Sequence, residues 1–464
     1  MRAATLALLA VSVWCVGGSS GPARPEPFNS PLILSQSKDE RSSAIVLAQQ
    51  EVDLPRAAEL RALVSAQCSE CRWDTEGREA VTLTIWVDGR YSQHLPLVRG
   101  GSADYAVMLG SADAGRHTVR LEIDPATTAS GLKRDGVATA RLAVTPVFPD
   151  ALEQLALALA PFVYARPNTV GRFTDVPVFM WYEREPTERG AVYRYSVIFT
   201  NEDGGTPTDR LMATWGRTTD IEYIYSVEVD RAGGIVAEDF QGPDHEVLAF
   251  RGKREGRHPL LWVATNNNMV RDVGDVSIRY APAPQAADLT GVSREALMDA
   301  NPWLYAVMAQ ELRREGKIAD DPPPGQDKIP DPRRFVYMEA CGEAGTAALA
   351  VAVGVATRQP DGQTWIASDR GVRQYRIAHD GCFRAAIPVP AGTRSRDLRA
   401  IRVFAYERPP AEGKPPVPPK PARLTRVNKL FMLDEQFVPG PSLLKWQGTQ
   451  VIPAGGAPFE VSIR

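Results

Sequence analysis

Short alternating runs, each cut off by a turn, constrain this chain most. Val81-Thr-Leu-Thr-Ile-Trp-Val87 puts apolar and polar side chains on opposite faces, and Asp88-Gly89 follows at once. That is the pattern of a half-buried strand entering a hairpin. Further strands are expected at 105–109, 114–124 and 137–147. Glycine and proline supply 37 and 38 residues, turn chemistry that favours a β architecture over a helical bundle. The 464 residues are enough for about three domains. Lys plus Arg number 53 against 56 Asp plus Glu, a net charge of -3. Such a balance offers no global cationic field, so nucleic acid is not expected as a partner.

Residues 1–20 read as a secretory signal: Arg2, an apolar run over 3–16, then Gly17-Gly-Ser-Ser20. The run is short for a membrane span, which needs about 20 apolar residues. No other segment is apolar enough to span, so the mature chain is expected to be secreted, periplasmic or extracellular. Removing Cys15 leaves Cys68, Cys71, Cys341 and Cys382. An even count in an exported chain favours disulfides, with local pairing Cys68–Cys71 and Cys341–Cys382. The second bridge is expected to tie together two sheets. For Cys68-Ser-Glu-Cys71, a redox dithiol would need a βαβ context, and a zinc site would need two more ligands.

The expected organisation is mainly β: several β-sandwich domains with a short helical connector. A flexible leader covers 21–60, with a short helical turn at 60–66. An immunoglobulin-like sandwich covers 61–147; its turn chemistry resembles the accessory modules of exported bacterial proteins. A central sandwich with a flanking helix covers 150–282, the helix capped by Asp150 with Glu153 three residues on. A helical connector and Pro-rich linker span 289–332. Within it Leu304, Val307, Met308 and Leu312 make one apolar helix face. A C-terminal sandwich covers 333–464, with a polyproline insertion over 409–421.

Most enzyme signatures are missing from the sequence. Gly17-Gly-Ser-Ser-Gly21 matches a nucleophile-elbow string but sits at the signal boundary. There is no phosphate-binding loop, dinucleotide fingerprint or HExxH. One constellation stands out, Trp215-Gly-Arg-Thr-Thr-Asp-Ile-Glu-Tyr223. On a strand, Asp220 and Glu222 share one face, and Asp209 lies upstream in what reads as a loop. Paired carboxylates raise one another's pKa unless a cation sits between them. Arg217 or Arg210 would serve, and so would a hard divalent ion such as Ca²⁺ or Mg²⁺ held by Asp209, Asp220 and Glu222. The expectation is neutralisation by Arg217 or another arginine and no cofactor.

Residues 159–275 resemble the necrosis- and ethylene-inducing peptide-like proteins and the related vacuolar-protein-sorting-like β-sandwich group. The likeness rests on Leu159–Pro167 (LAPFVYARP), Tyr193–Gly204 (YRYSVIFTNEDG) and His258–Asn268 (HPLLWVATNNN). The family heptapeptide GHRHDWE reads Gly216-Arg-Thr-Thr-Asp-Ile-Glu222 here. The resemblance implies a β-sandwich and, in toxin members, a divalent metal that contacts a sphingolipid head group. Asp220 and Glu222 match the metal-binding positions, with Asp209 as the upstream aspartate. Arg217 replaces a histidine ligand, and a guanidinium competes with a metal instead of binding it.

The function expected is therefore non-catalytic: an exported binding or surface-associated protein whose partner is a glycan or lipid head group. Trp181, Tyr182 and Trp215 are the candidates for ligand stacking. One alternative is a hydrolase using Asp220 and Glu222. Same-face strand neighbours lie roughly 7 Å apart, within the roughly 5–9.5 Å used for glycoside hydrolysis. A metal-dependent cytolysin-like protein is the other.

Overall fold

The computed structural model describes residues 45–202, 204–359, 362–408 and 420–463. Among them are 26 strands in six sheets and four α-helices, a mainly β chain of several sandwiches. The signal segment 1–20 and most of the polyproline insertion lie outside the described residues.

The first sandwich begins well before residue 61. Val46–Leu54 and Ala58–Cys68 are both strands, which corrects the reading of 21–60 as leader and of 60–66 as a helical turn. The reason is a period of two. Leu60, Ala62, Val64 and Ala66 are at most 4% exposed, while Arg61, Leu63 and Gln67 between them face outward. A four-stranded sheet runs in the order Val46–Leu54, Gly115–Ile123, Thr82–Val87, Arg90–Pro96. It packs on a three-stranded sheet of Gly101–Ala112, Ala58–Cys68 and Thr139–Val147. The Cys68–Cys71 disulfide closes the exit from the central strand. Both cysteines are 1% exposed, so the bridge is structural.

The central unit opens with helix Leu152–Ala158. Asp150 does not cap it; its carboxylate takes a hydrogen bond from Arg56 at 3.0 Å. A six-stranded sheet runs Val247–Ala249, Ile235–Gln241, Asp220–Asp230, Gly190–Phe199, Pro177–Pro186, Gln285–Ala286. That last strand carries the unit past residue 282. A five-stranded sheet centred on Phe162–Tyr164 and His258–Val263 closes the sandwich over Tyr193, Tyr195, Val197, Ile224 and Leu261. Burying each such side chain contributes about 1.5–3 kcal/mol.

The first sandwich is welded to the second. Val107 bridges to Pro282, and Met108 and Ala283 exchange backbone bonds with Ala281 and Ala106 at 2.9 Å. His258, fully buried, lies 2.8 Å from Glu59 and stacks on Phe162 at 4.3 Å.

Helices Ala296–Ala300 and Trp303–Arg314 break at Asn301-Pro302. Leu304, Val307, Met308 and Leu312 are all buried. The connector is a shared core, since Leu304, Tyr305 and Met308 pack between Phe179, Trp181 and Ile221 of the central sheet and Phe335, Tyr337 and Phe431 beyond. Residues 320–332 are likewise anchored. Gly325 donates its N–H to Asp209 at 2.7 Å, Asp327 accepts from the Thr208 N–H at 2.7 Å, and Ile329 is buried. That corrects the linker reading: two acidic side chains in a helix-start contact fix what proline content alone marks as loose.

The C-terminal sandwich pairs Gly381–Pro388, Phe335–Glu343, Ala422–Phe431 and Trp446–Ile452 against Gln363–Ala367, Ala347–Ala356, Leu398–Glu407 and Phe459–Ser462. Cys341 and Cys382 are bonded and sit directly opposite each other on neighbouring strands. The bridge therefore staples one sheet and does not join two.

Candidate functional site

The segment singled out in the sequence folds as a helix stop followed by a strand start. Thr208–Trp215 is an α-helix, so Asp209 lies in a first helical turn and not in a loop. Leu211, Met212 and Trp215 recur at helical spacing, a signal that the short length of the run obscured. Gly216 ends the helix at φ 63°, and a Cβ there would meet the Arg384 side chain at 2.7 Å, so both backbone and space require glycine. Arg217 to Thr219 turn the chain, and the strand begins at Asp220.

Asp220 and Glu222 share the face toward the sandwich interior, opposite Phe199 and Val197. Asp209 is not with them, since its carboxylate accepts from Gly325. Arg217 is 3% exposed; its Nε donates to Glu295 Oε1 at 3.0 Å, and its Nη1 lies 4.0 Å from Asp220. The closest polar partner of Asp220 is Asn268, whose amide N–H₂ donates at 3.0 Å. Sequence reasoning missed Asn268, Glu202 and Glu295, which reach this place from three separate loops and helices.

Burial dominates the electrostatics here. It raises the Asp220 carboxyl against the opposing pull of Arg217 and Asn268. Burial, then the charge of Asp220, pushes Glu222 well above the usual carboxylate range. Burial, again with Asp220, pushes Glu202 up to about 7. Burial and mutual repulsion thus disfavour full ionisation of the cluster. Among the described residues, no three or more His, Cys, Asp or Glu side chains are grouped as a metal cage.

The stacking candidates are placed apart from one another. Trp181 is fully buried among Phe179, Ile221 and the connector helices, and Tyr182 is 8% exposed beside Tyr193 and Tyr195. Neither ring offers a face to a ligand. Trp215 is half-buried at its helix end.

A different place has the makings of a site. Between the first sandwich and the central sheet lies a cavity of about 310 Å³. One wall is the outward face of the three-stranded sheet, with Arg61, Leu63, Asp104 and Ala106; Tyr105, opposite Val64, packs against the first sandwich's core and only borders the cavity. The other is Val176–Met180 and Tyr280–Ala283, with Gln285 at the edge. Asn301 and Trp303, at the helix break, close one end. The Arg99 guanidinium lies 4.9 Å over the Trp303 ring and 5.7 Å over Tyr105. Leu63 is 41% exposed, an apolar side chain out of phase with the buried positions on its strand. That misfit is the one sequence signal that could have pointed here; the other walls come together only through the Val107–Pro282 contact.

Compared with protein-family models and with curated protein sequences, the chain matches none of them.

Proposed function

We propose that this is an exported binding protein that takes a saccharide in the cleft between its first and central sandwiches. The cleft carries the reading. Its volume of about 310 Å³ falls at the lower end of small-ligand sites, roughly 300–1,000 Å³, which form preferentially between domains. Its lining combines the half-buried Tyr280 and Trp303 with Asp104, Gln285 and Asn301. Aromatic faces accept the C–H faces of sugar rings, and amide and carboxylate groups fix hydroxyls in direction. Export is supported by the signal-like residues 1–20 and by two disulfides. Among the described residues no helix is long and apolar enough to cross a membrane.

The test is thermal stabilisation by a panel of oligosaccharides, with Leu63→Trp as the blocked variant. Leu63 already faces outward, so the larger ring fills the cleft without entering the core. A ligand at about 100 times its Kd stabilises by about 2.7 kcal/mol. The reading expects a rise of several degrees in wild type and none in Leu63→Trp; an equal rise in both would overturn it.

A second reading, a hydrolase, has one observation in its favour: Glu202 sits at about 7 beside the raised Asp220 and Glu222, and a general acid needs such a value. Loss of a measured hydrolytic activity in Glu222→Gln would support it.

A further inference from the structure

Resting on the cleft reading, we infer that the saccharide is acidic, a hexuronate whose carboxylate is held by Arg61. The cavity's lining carries Arg61 and Arg99 against one unpaired carboxylate, Asp104; His94 is a further titratable group, and its ring already faces Asp124 at 3.1 Å. Arg61 is exposed and makes no hydrogen bond or ion pair among the described residues.

Asp104 does not neutralise it. Asp104 stands opposite Ser65, four residues along the strand from Arg61, which is about 13 Å at 3.3 Å per residue. That exceeds the Debye length of about 8 Å in physiological salt. Glu59, two residues before Arg61, is committed elsewhere: one oxygen accepts from Ser111 at 2.6 Å, the other faces His258 at 2.8 Å. Arg99 is committed too, donating to the Asp104 carbonyl at 3.2 Å and stacking on Trp303. Arg61 is left as a free fork at the edge of an aromatic cleft. A planar guanidinium matches a carboxylate in a two-point hydrogen bond, and the following units of the oligosaccharide would run along the cleft toward Trp303, which lies beside Arg99 at the Asp104 end.

The experiment compares binding of a hexuronate oligosaccharide, its neutral hexose counterpart and a sulfated oligosaccharide of equal length, by calorimetry on the full chain. Wild type and Arg61→Gln are both measured; the side chain is exposed, so folding is unaffected. The inference expects the hexuronate to bind at least tenfold tighter than the neutral sugar, and that preference to collapse to under threefold in Arg61→Gln. Equal binding of the neutral sugar, survival of the preference in Arg61→Gln, or tighter binding of the sulfated sugar would each overturn the acidic assignment while leaving the cleft reading standing. Failure of all three sugars to bind would overturn both.

Discussion

Arg217 donates to Glu295 at 3.0 Å and stands 4.0 Å from Asp220, three residues along its own chain. The arginine that the sequence offers as counterion to the paired carboxylates is thus mainly a tie to the helical connector. Its Nη1 also donates to the Thr219 carbonyl, and Glu295 in turn offers its own carbonyl to Arg384 at 3.1 Å. Arg384, fully buried, reaches Asp299 and Glu339 at 2.6 Å each. One buried network therefore joins the central sheet, the connector and the C-terminal sheet.

Removing one member leaves a dry, unpaired charge, which costs about 3–5 kcal/mol. Arg217→Ala is expected to lose that much in urea unfolding, and the double variant with Glu295→Gln to lose less than the sum. Strict additivity would show that the pair is not coupled.

Divalent ions should matter little. The Asn268 amide points its N–H₂ at Asp220, and a donor occupies the place a cation would need. Chelator treatment is expected to leave the melting temperature unchanged. A rise of several degrees with calcium, abolished in Asp220→Asn, would contradict this and favour the cytolysin-like reading.

Stability should fall as pH rises through neutrality. Free glutamate titrates near 4.3, but burial and Asp220 hold Glu202 at about 7 and push Glu222 well above the usual range. Between about 4.3 and 7 and beyond, the folded state binds more protons than the unfolded, so raising pH drains stability. Asp331 has the opposite sign. Burial there is outweighed by Arg333 and Arg313, which hold it at about 2, so its contribution is lost only in strong acid. Unfolding free energy at fixed ionic strength is expected to decline from pH 5 to 8, less steeply in Glu222→Gln. An unchanged slope in that variant would refute the assignment.

The Cys341–Cys382 staple closes 41 residues of chain, and its loss should cost about 2–5 kcal/mol. Cys68–Cys71 spans three, so far less unfolded-chain entropy is at stake. Denaturation of Cys341→Ser/Cys382→Ser against Cys68→Ser/Cys71→Ser checks the order; a larger loss from the second pair would reverse the argument.

The alternation at 81–87 and the apolar helix face of Leu304, Val307, Met308 and Leu312 were legible because each rests on neighbouring residues alone. Residues 60–66 read as a helical turn although their period is two, because polar residues flank them and their partners lie at 101–112 and 139–147. Residues 320–332 looked loose because the groups that anchor them, Asp209 and Thr208, are more than 100 positions away. The paired face of Asp220 and Glu222 follows from strand geometry, whereas Glu295 and Asn268 arrive by tertiary packing. The cleft was invisible for the same reason: its walls belong to two different sandwiches, and only Leu63 breaks a local rule.

Fluorine NMR on protein labelled with 5-fluorotryptophan tests the central claim most directly. Trp303 is assigned by the peak missing from Trp303→Phe. On addition of a hexuronate oligosaccharide, the Trp303 resonance should shift in a saturable way while that of the buried Trp181 stays put. A Trp303 resonance that does not move while others do, or that moves equally in Leu63→Trp, would contradict the cleft as the binding site.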